Sequence, residues 1–147
     1  GRRGQEQKAQ AAYSKTLAVD PRHAGAANQL AQIYAKTNTE LGEAWKWATV
    51  AVEEEPQNPN FIATLGWVYF KNDNLRLAVE ALGNSALRDP QNPLTQYRLG
   101  LVQYRLGNLA QADTALRRVV ELGAEPAVAK LARRELAALK KEMARAY

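Results

Sequence analysis

Apolar residues recur at helical spacing along most of the chain, and short polar turns interrupt them at regular intervals. Phe61, Leu65, Val68 and Tyr69 follow i, i+4, i+7, i+8, which places them on one face of a helix. The run Lys71-Asn72-Asp73-Asn74 breaks the pattern with turn residues. Leu75, Ala78, Val79 and Leu82 then resume it as far as Asp89-Pro90, where the proline ring disfavours helix at the preceding residue. The pattern predicts two helices joined by a tight turn. A close relative of this stretch returns downstream as RLGLVQYRLGNLAQADTALRRVVELGAEP.

The return has a period. Pro56 and Pro90 are separated by one period of about 34 residues, and Pro21 lies one residue further than that before Pro56. Ala44, Ala78 and Ala112 keep the step, and so do Leu41, Leu75 and Leu109, three positions before them. Leu65-Gly66 is answered by Leu99-Gly100 and, one residue out of step, by Leu30-Ala31. The extra residue falls in AKTNTELGEA, a longer turn than FKNDNLRLA. Gly66 lacks a Cβ, which lets two helices approach closely, and the small residues at 78 and 112 serve the same approach from the other side. A single helix pair cannot bury both of its faces, so the unit is a building block that stacks on its neighbours.

Period, helix-turn-helix form and anchors together resemble the tetratricopeptide repeat, whose pattern is W-x2-L-G-x2-Y, then an alanine, a large apolar residue and a proline. Leu65, Gly66, Tyr69, Ala78, Leu82 and Pro90 match in order, with Ile62 at the tryptophan position. The following unit offers Leu99, Gly100, Gly107, Ala112 and Leu116, with Gln103 in place of the tyrosine and its proline displaced to Pro126. The preceding unit offers Leu30, Tyr34, Ala44 and Pro56, with Ala31 for the glycine. Gly4, Ala9, Tyr13 and Pro21 match only the second half of a repeat. The resemblance implies an all-α fold, a right-handed superhelical solenoid of antiparallel helix pairs. Residues 1–21 would be the second helix of a truncated repeat, 22–56, 57–90 and 91–124 full repeats, and 125–147 a capping helix. The chain is thereby expected to be a C-terminal piece of a longer array, with a cut N-terminal face. Ala9, Ala12, Tyr13 and Leu17, with Leu30 behind them, would be exposed there and favour self-association of the fragment.

The closing segment supports the cap. Val128, Ala132, Leu136, Leu139 and Met143 form one stripe, while Lys130, Arg133, Arg134, Lys140, Lys141 and Arg145 occupy the other faces. Its only aromatic residue is Tyr147. A basic amphipathic helix could also touch a membrane or an acidic partner, but an alanine-rich stripe inserts poorly.

In the family the first helix of each pair lines the concave side, where extended peptides or partner helices bind. The resemblance therefore turns inward Asn28, Gln32, Ala35 and Lys36, then Ala63, Trp67, Phe70 and Lys71, then Tyr97, Arg98, Leu101, Tyr104 and Arg105. This expected groove becomes aromatic and basic toward its C-terminal end, and aromatic residues and arginine dominate binding energy at interfaces. Trp67 and Phe70 either touch a partner or pack between neighbouring first helices. Trp45 and Trp47, two apart on a second helix, face different ways, with Trp45 expected in the core beside Ala48 and Trp47 outside. Chaperone-tail-binding members clamp a terminal carboxylate with lysines and asparagines. Asn28, Gln32 and Thr64 occupy those places here and only Arg98 fits, so that clamp is not expected.

Composition narrows the chemistry. The 147 residues are 46% apolar and 24% charged, enough for one ordinary domain with a core. No run reaches the length of a membrane span. Cysteine is absent, which excludes disulfides and thiolate metal sites. The only histidine, His23, sits in a predicted turn, and a metal site would need carboxylates alone. Glu53, Glu54 and Glu55 are adjacent on a helix and point different ways, so they make no catalytic pair. Phosphate-loop, nucleophile-elbow and dinucleotide patterns are missing. The expectation is a non-enzymatic protein-interaction scaffold without cofactor or metal. Alanine and arginine usage suggests a bacterial source, and the resemblance to bacterial members of the family implies an envelope, pilus or polysaccharide-export assembly as setting, with cytoplasm or periplasm as compartment. The net charge of +5 and the basic C-terminal third suggest the alternative, a nucleic-acid or anionic-polymer binder, although nucleic acid is the disfavoured partner.

Overall fold

The structure, a computed structural model, describes residues 1–146, so the last residue of the expected cap, Tyr147, lies outside the described residues. Eight helices follow one another: α1 (Arg2–Val19), α2 (Ala24–Thr37), α3 (Leu41–Glu54), α4 (Pro59–Lys71), α5 (Leu75–Arg88), α6 (Pro93–Arg105), α7 (Leu109–Glu121) and α8 (Pro126–Ala146). The described residues contain no strand. The all-α expectation is met.

Helix starts repeat one device. Asn58 Oδ1 accepts hydrogen bonds from the backbone N–H groups of Asn60 and Phe61, at 3.0 and 3.3 Å. Asn92 Oδ1 does the same for Leu94 and Thr95, at 3.1 and 3.3 Å. Each asparagine is followed by a proline in the first turn, whose missing N–H would have had no helical partner anyway. At α2 the cap is His23, whose Nδ1 accepts from Ala26 N at 3.0 Å. The lone histidine thus has a structural task. The longer turn before α3 holds two left-handed residues, Asn38 at φ 55° and Glu40 at φ 46°. The corresponding later turns hold one each, Asp73 at φ 62° and Gly107 at φ 81°. The second left-handed residue is how the chain absorbs its extra position.

The helices fall into two compact units, Gly1–Ala78 and the chain from Val79 onward. In the first, α2 packs on α1, α3 and α4, and α3 packs on α4. One cluster joins Leu17, Ala26, Ala27, Leu30, Val50 and Ala51. A second joins Ala31, Ala35, Ala44, Ala48 and Val68. In the second unit α6, α7 and α8 pack on one another around Ala112, Leu116, Val119, Ala132 and Leu139. The periodic alanines Ala44, Ala78 and Ala112 are all fully buried, as are the periodic leucines Leu82 and Leu116. Burying a leucine of this kind contributes roughly 1.5–3 kcal/mol.

Two expectations are corrected. Trp45 is 48% exposed, whereas Trp47 packs against both clusters of the first unit. The helical period decides this: Trp47 lies three and four positions from Ala44, Val50 and Ala51, all buried, and Trp45 does not share their face. Leu17 and Leu30 are not open at the N-terminal end, because α1 lies over α2 and buries both, with Tyr13 packed against them. Of the residues expected to be open there, Ala12 is exposed and Ala9 and Tyr13 are half-buried.

Candidate partner-binding surface

In the first unit the candidate residues lie on α2 and α4. Gln32 Nε2 donates to Thr64 Oγ1 at 3.2 Å, and Thr64 Oγ1 donates to the carbonyl of Asn60 at 3.0 Å. Two of the positions that a carboxylate clamp would use therefore bind each other. Lys36 is ion-paired with Glu6 of α1. Trp67 stacks on Phe70, with ring centroids 4.7 Å apart and planes inclined by 20°. The Lys71 ammonium sits 5.3 Å from the Trp67 ring centre, within cation–π reach. Asn28 departs from the expectation: it is only 4% exposed and its Oδ1 has no hydrogen-bond partner. It is flanked by buried Ala27 on its own helix and belongs to the interior. Ala35 and Ala63 are likewise core residues, at 1% and 7% exposure.

In the second unit the candidates lie on α6. Leu94, Tyr97, Leu101 and Tyr104 share one face at i, i+3, i+7, i+10. Leu94 is 44% exposed and the other three are half-buried. Arg105 at the end of the helix is exposed. Arg98, in the middle of α6, is desolvated, and burial lowers its pKa to about 10. It is not the open cation that the sequence suggests.

Sequence reasoning missed the contribution of α8. Tyr97 and Tyr104 pack against the cluster that α8 completes with Val128, Leu136 and Met143. Tyr104 Oη donates to Glu142 Oε1 at 2.6 Å. That bond, then partial burial and the carboxylate charge, raises the Tyr104 pKa. Burial, and after it the charge of Glu135, raises the Tyr97 pKa. The signal was present in the spacing: the tyrosines are seven apart on one helix and the glutamates seven apart on the other. At the N-terminal ends of the two helices, Pro93, Leu94, Ala124 and Val128 line a cavity of about 320 Å³ rimmed by Asn92 and Glu125. The arrangement can hold side chains of a partner. Among the described residues no group of three or more His, Asp or Glu residues is placed to bind a metal. Among them, too, no helix is long and apolar enough to cross a membrane.

The tetratricopeptide repeat family model matches residues 1–59 and 64–127 of the chain. No curated protein sequence matches it. Among solved structures it is similar to MamA, with a TM-score of 0.80, 20% identity, 97% of this chain covered and 81% of that one. It is also similar to TTC0263, a repeat protein of Thermus thermophilus, with a TM-score of 0.78 at 20% identity over 95% of this chain and 75% of that one. The first such domain of Spaghetti (RPAP3), solved bound to the HSP90 peptide SRMEEVD, has a TM-score of 0.75 at 21% identity over 85% and 96%. At these identities the likenesses establish the fold.

Proposed function

The chain belongs to the tetratricopeptide repeat family, and from that premise we propose that it is a non-catalytic scaffold that binds an extended peptide or a partner helix on the first helices of its pairs. One observation carries the reading. The α6 face presents Leu94, Tyr97, Leu101 and Tyr104 in a continuous row, and its outermost leucine is 44% exposed. Large apolar and aromatic groups lined up at a surface are what interface anchors require. A neighbour of this fold, the RPAP3 domain, is bound to a peptide, which supports peptide binding as the reading. In the first unit the reading assigns Gln32, Lys36, Trp67, Phe70 and Lys71 as further contacts, and in the second Leu101 and Arg105, while the desolvated Arg98 is not among them. Residue usage supports a bacterial source, and the analogy with bacterial members of the family supports an envelope, pilus or polysaccharide-export assembly as the setting.

The test is a pull-down with the full chain against a Leu94→Ser/Arg105→Ser double variant. Both side chains are exposed, and a melting curve checks that the variant keeps the fold, since Arg105 also interacts within the chain. A partner retained by the native chain and lost by the variant supports the reading. Equal recovery by both would place the contact elsewhere.

A second reading has its own observation. Lys130, Arg133, Arg134, Lys140, Lys141 and Arg145 are all exposed on α8. They suit an anionic polymer, whose affinity would fall steeply with salt. Nucleic acid is the weaker candidate, since the segment has a single aromatic residue, Tyr147 at its end, to stack on bases.

A further inference from the structure

We propose that the trough between α6 and α8 recognises a cationic segment: a large apolar side chain seated in the Leu94/Val128 crevice, followed by basic side chains facing Glu135 and Glu142. The inference rests on the scaffold reading and names the chemistry of its partner.

The two helices run in the same direction. Their first turns, Asn92–Leu94 and Ala124–Val128, line one cavity, and their last turns meet where Tyr104 bonds Glu142. Tyr97 and Glu135 stand at the same sequence offset as that bonded pair, and the Glu135 charge acts on Tyr97, so two tyrosine–glutamate pairs, one of them hydrogen-bonded, follow each other along the trough. On α8, Val128, Leu131, Glu135 and Glu142 share an edge at i, i+3, i+7, i+14. On α6, Leu94, Tyr97 and Tyr104 share the facing edge. The trough is therefore apolar at one end, where Leu94 is 44% and Leu131 41% exposed, and acidic and aromatic along the rest.

The carboxylates have capacity to spare. Glu142 accepts one hydrogen bond, from Tyr104, and neither it nor Glu135 is in an ion pair among the described residues. An ionised carboxylate offers about four acceptor positions and takes a guanidinium bidentately. The phenol rings beside them give the stem of an arginine or lysine an apolar surface. The nearby cations do not fill this role. Arg98 is desolvated within α6, Arg105 already has an interaction of its own, and Arg134, whose charge reaches Tyr97, forms no ion pair with Glu135 among the described residues.

Spacing then defines the segment. Val128 to Glu135, and Glu135 to Glu142, are each two helical turns, about 10.5 Å at 1.5 Å per residue. An extended peptide advances about 3.3 Å per residue, so three residues cover one interval. The geometry points to an apolar residue with arginine or lysine three and six positions further along. An acidic tail such as SRMEEVD, held by the RPAP3 domain, has the opposite charge.

The probe is a fluorescently labelled synthetic peptide with one leucine and arginines three and six residues after it in a glycine–serine background. Its anisotropy is measured with the full chain. We expect saturable binding, at least about tenfold weaker when glutamates replace the arginines. Glu135→Gln/Glu142→Gln should cost about tenfold against the arginine peptide, and Arg117→Gln, remote from the trough, should cost nothing measurable. Replacing the peptide's leucine with serine should weaken binding about fivefold. Retention of affinity by the double glutamine variant, or absence of saturable binding, would overturn the inference. So would tighter binding of the glutamate peptide. If that tighter binding is abolished by Leu94→Ser, the scaffold reading survives while the cationic assignment falls.

Discussion

Gly100 of α6 lies directly against Leu116 of α7, and a Cβ placed on it would come within 2.7 Å of the leucine Cγ and 2.8 Å of its Cδ2. Leu116 is fully buried in the central cluster of the second unit, so admitting a Cβ means shifting a side chain within a packed core. This contact is the close approach that the repeating Leu-Gly pair foreshadows.

Gly100→Ala is therefore expected to lower stability although alanine is the better helix former. The propensity gain of up to about 1 kcal/mol is outweighed by overpacking, which costs roughly 1–3 kcal/mol. Gly100→Val should be worse. Relief by a compensating Leu116→Ala in the same chain would show as a coupling energy in urea unfolding. Additive effects of the two changes would contradict the contact.

The tryptophans give a second check. Trp47 packs on both clusters of the first unit while Trp45 is 48% exposed. Trp47→Ala should cost about 3 kcal/mol, and Trp45→Ala about 0.5 kcal/mol or less. Acrylamide quenching of tryptophan emission, measured on the Trp45→Phe and Trp47→Phe variants, should show that Trp45 supplies the more accessible emission. Stronger quenching after loss of Trp45 than after loss of Trp47 would reverse the assignment.

The same two residues show where the sequence was readable. The repeat itself was legible because packing between helix pairs demands small residues at fixed places, and Ala44, Ala78 and Ala112 keep them. Which of two nearby tryptophans points inward depends on the helical phase, and Ala44, Ala48 and Ala51 mark it: Trp47 shares their side. Asn28 was misjudged for another reason. Its family position faces the groove, yet here its side chain is enclosed, which no local pattern announces. Glu135 and Glu142 were overlooked because α8 was read as an apolar stripe with basic residues on its other faces. A helix has edges as well as a front and a back, and these two glutamates lie on the edge that meets α6.

The tyrosine–glutamate rung has a pH signature whose sign is fixed by the hydrogen bond. Glu142 accepts from the neutral phenol of Tyr104, which raises that phenol above its ordinary pKa of about 10. Folding thus favours the protonated tyrosine. The stabilisation is fully present below the unfolded pKa and is lost as pH rises through the higher folded value. Because the pair is exposed, its worth is small, about 0.5 kcal/mol. Tyr104→Phe should therefore melt slightly below the native chain at about pH 7, with the gap closing as the pH rises through the folded value. A phenolate titration followed by ultraviolet absorbance should lose one of its late-titrating groups in the same variant. Equal melting at neutral pH, or a gap that persists in alkali, would mean that the bond does not hold α8 against α6 in solution.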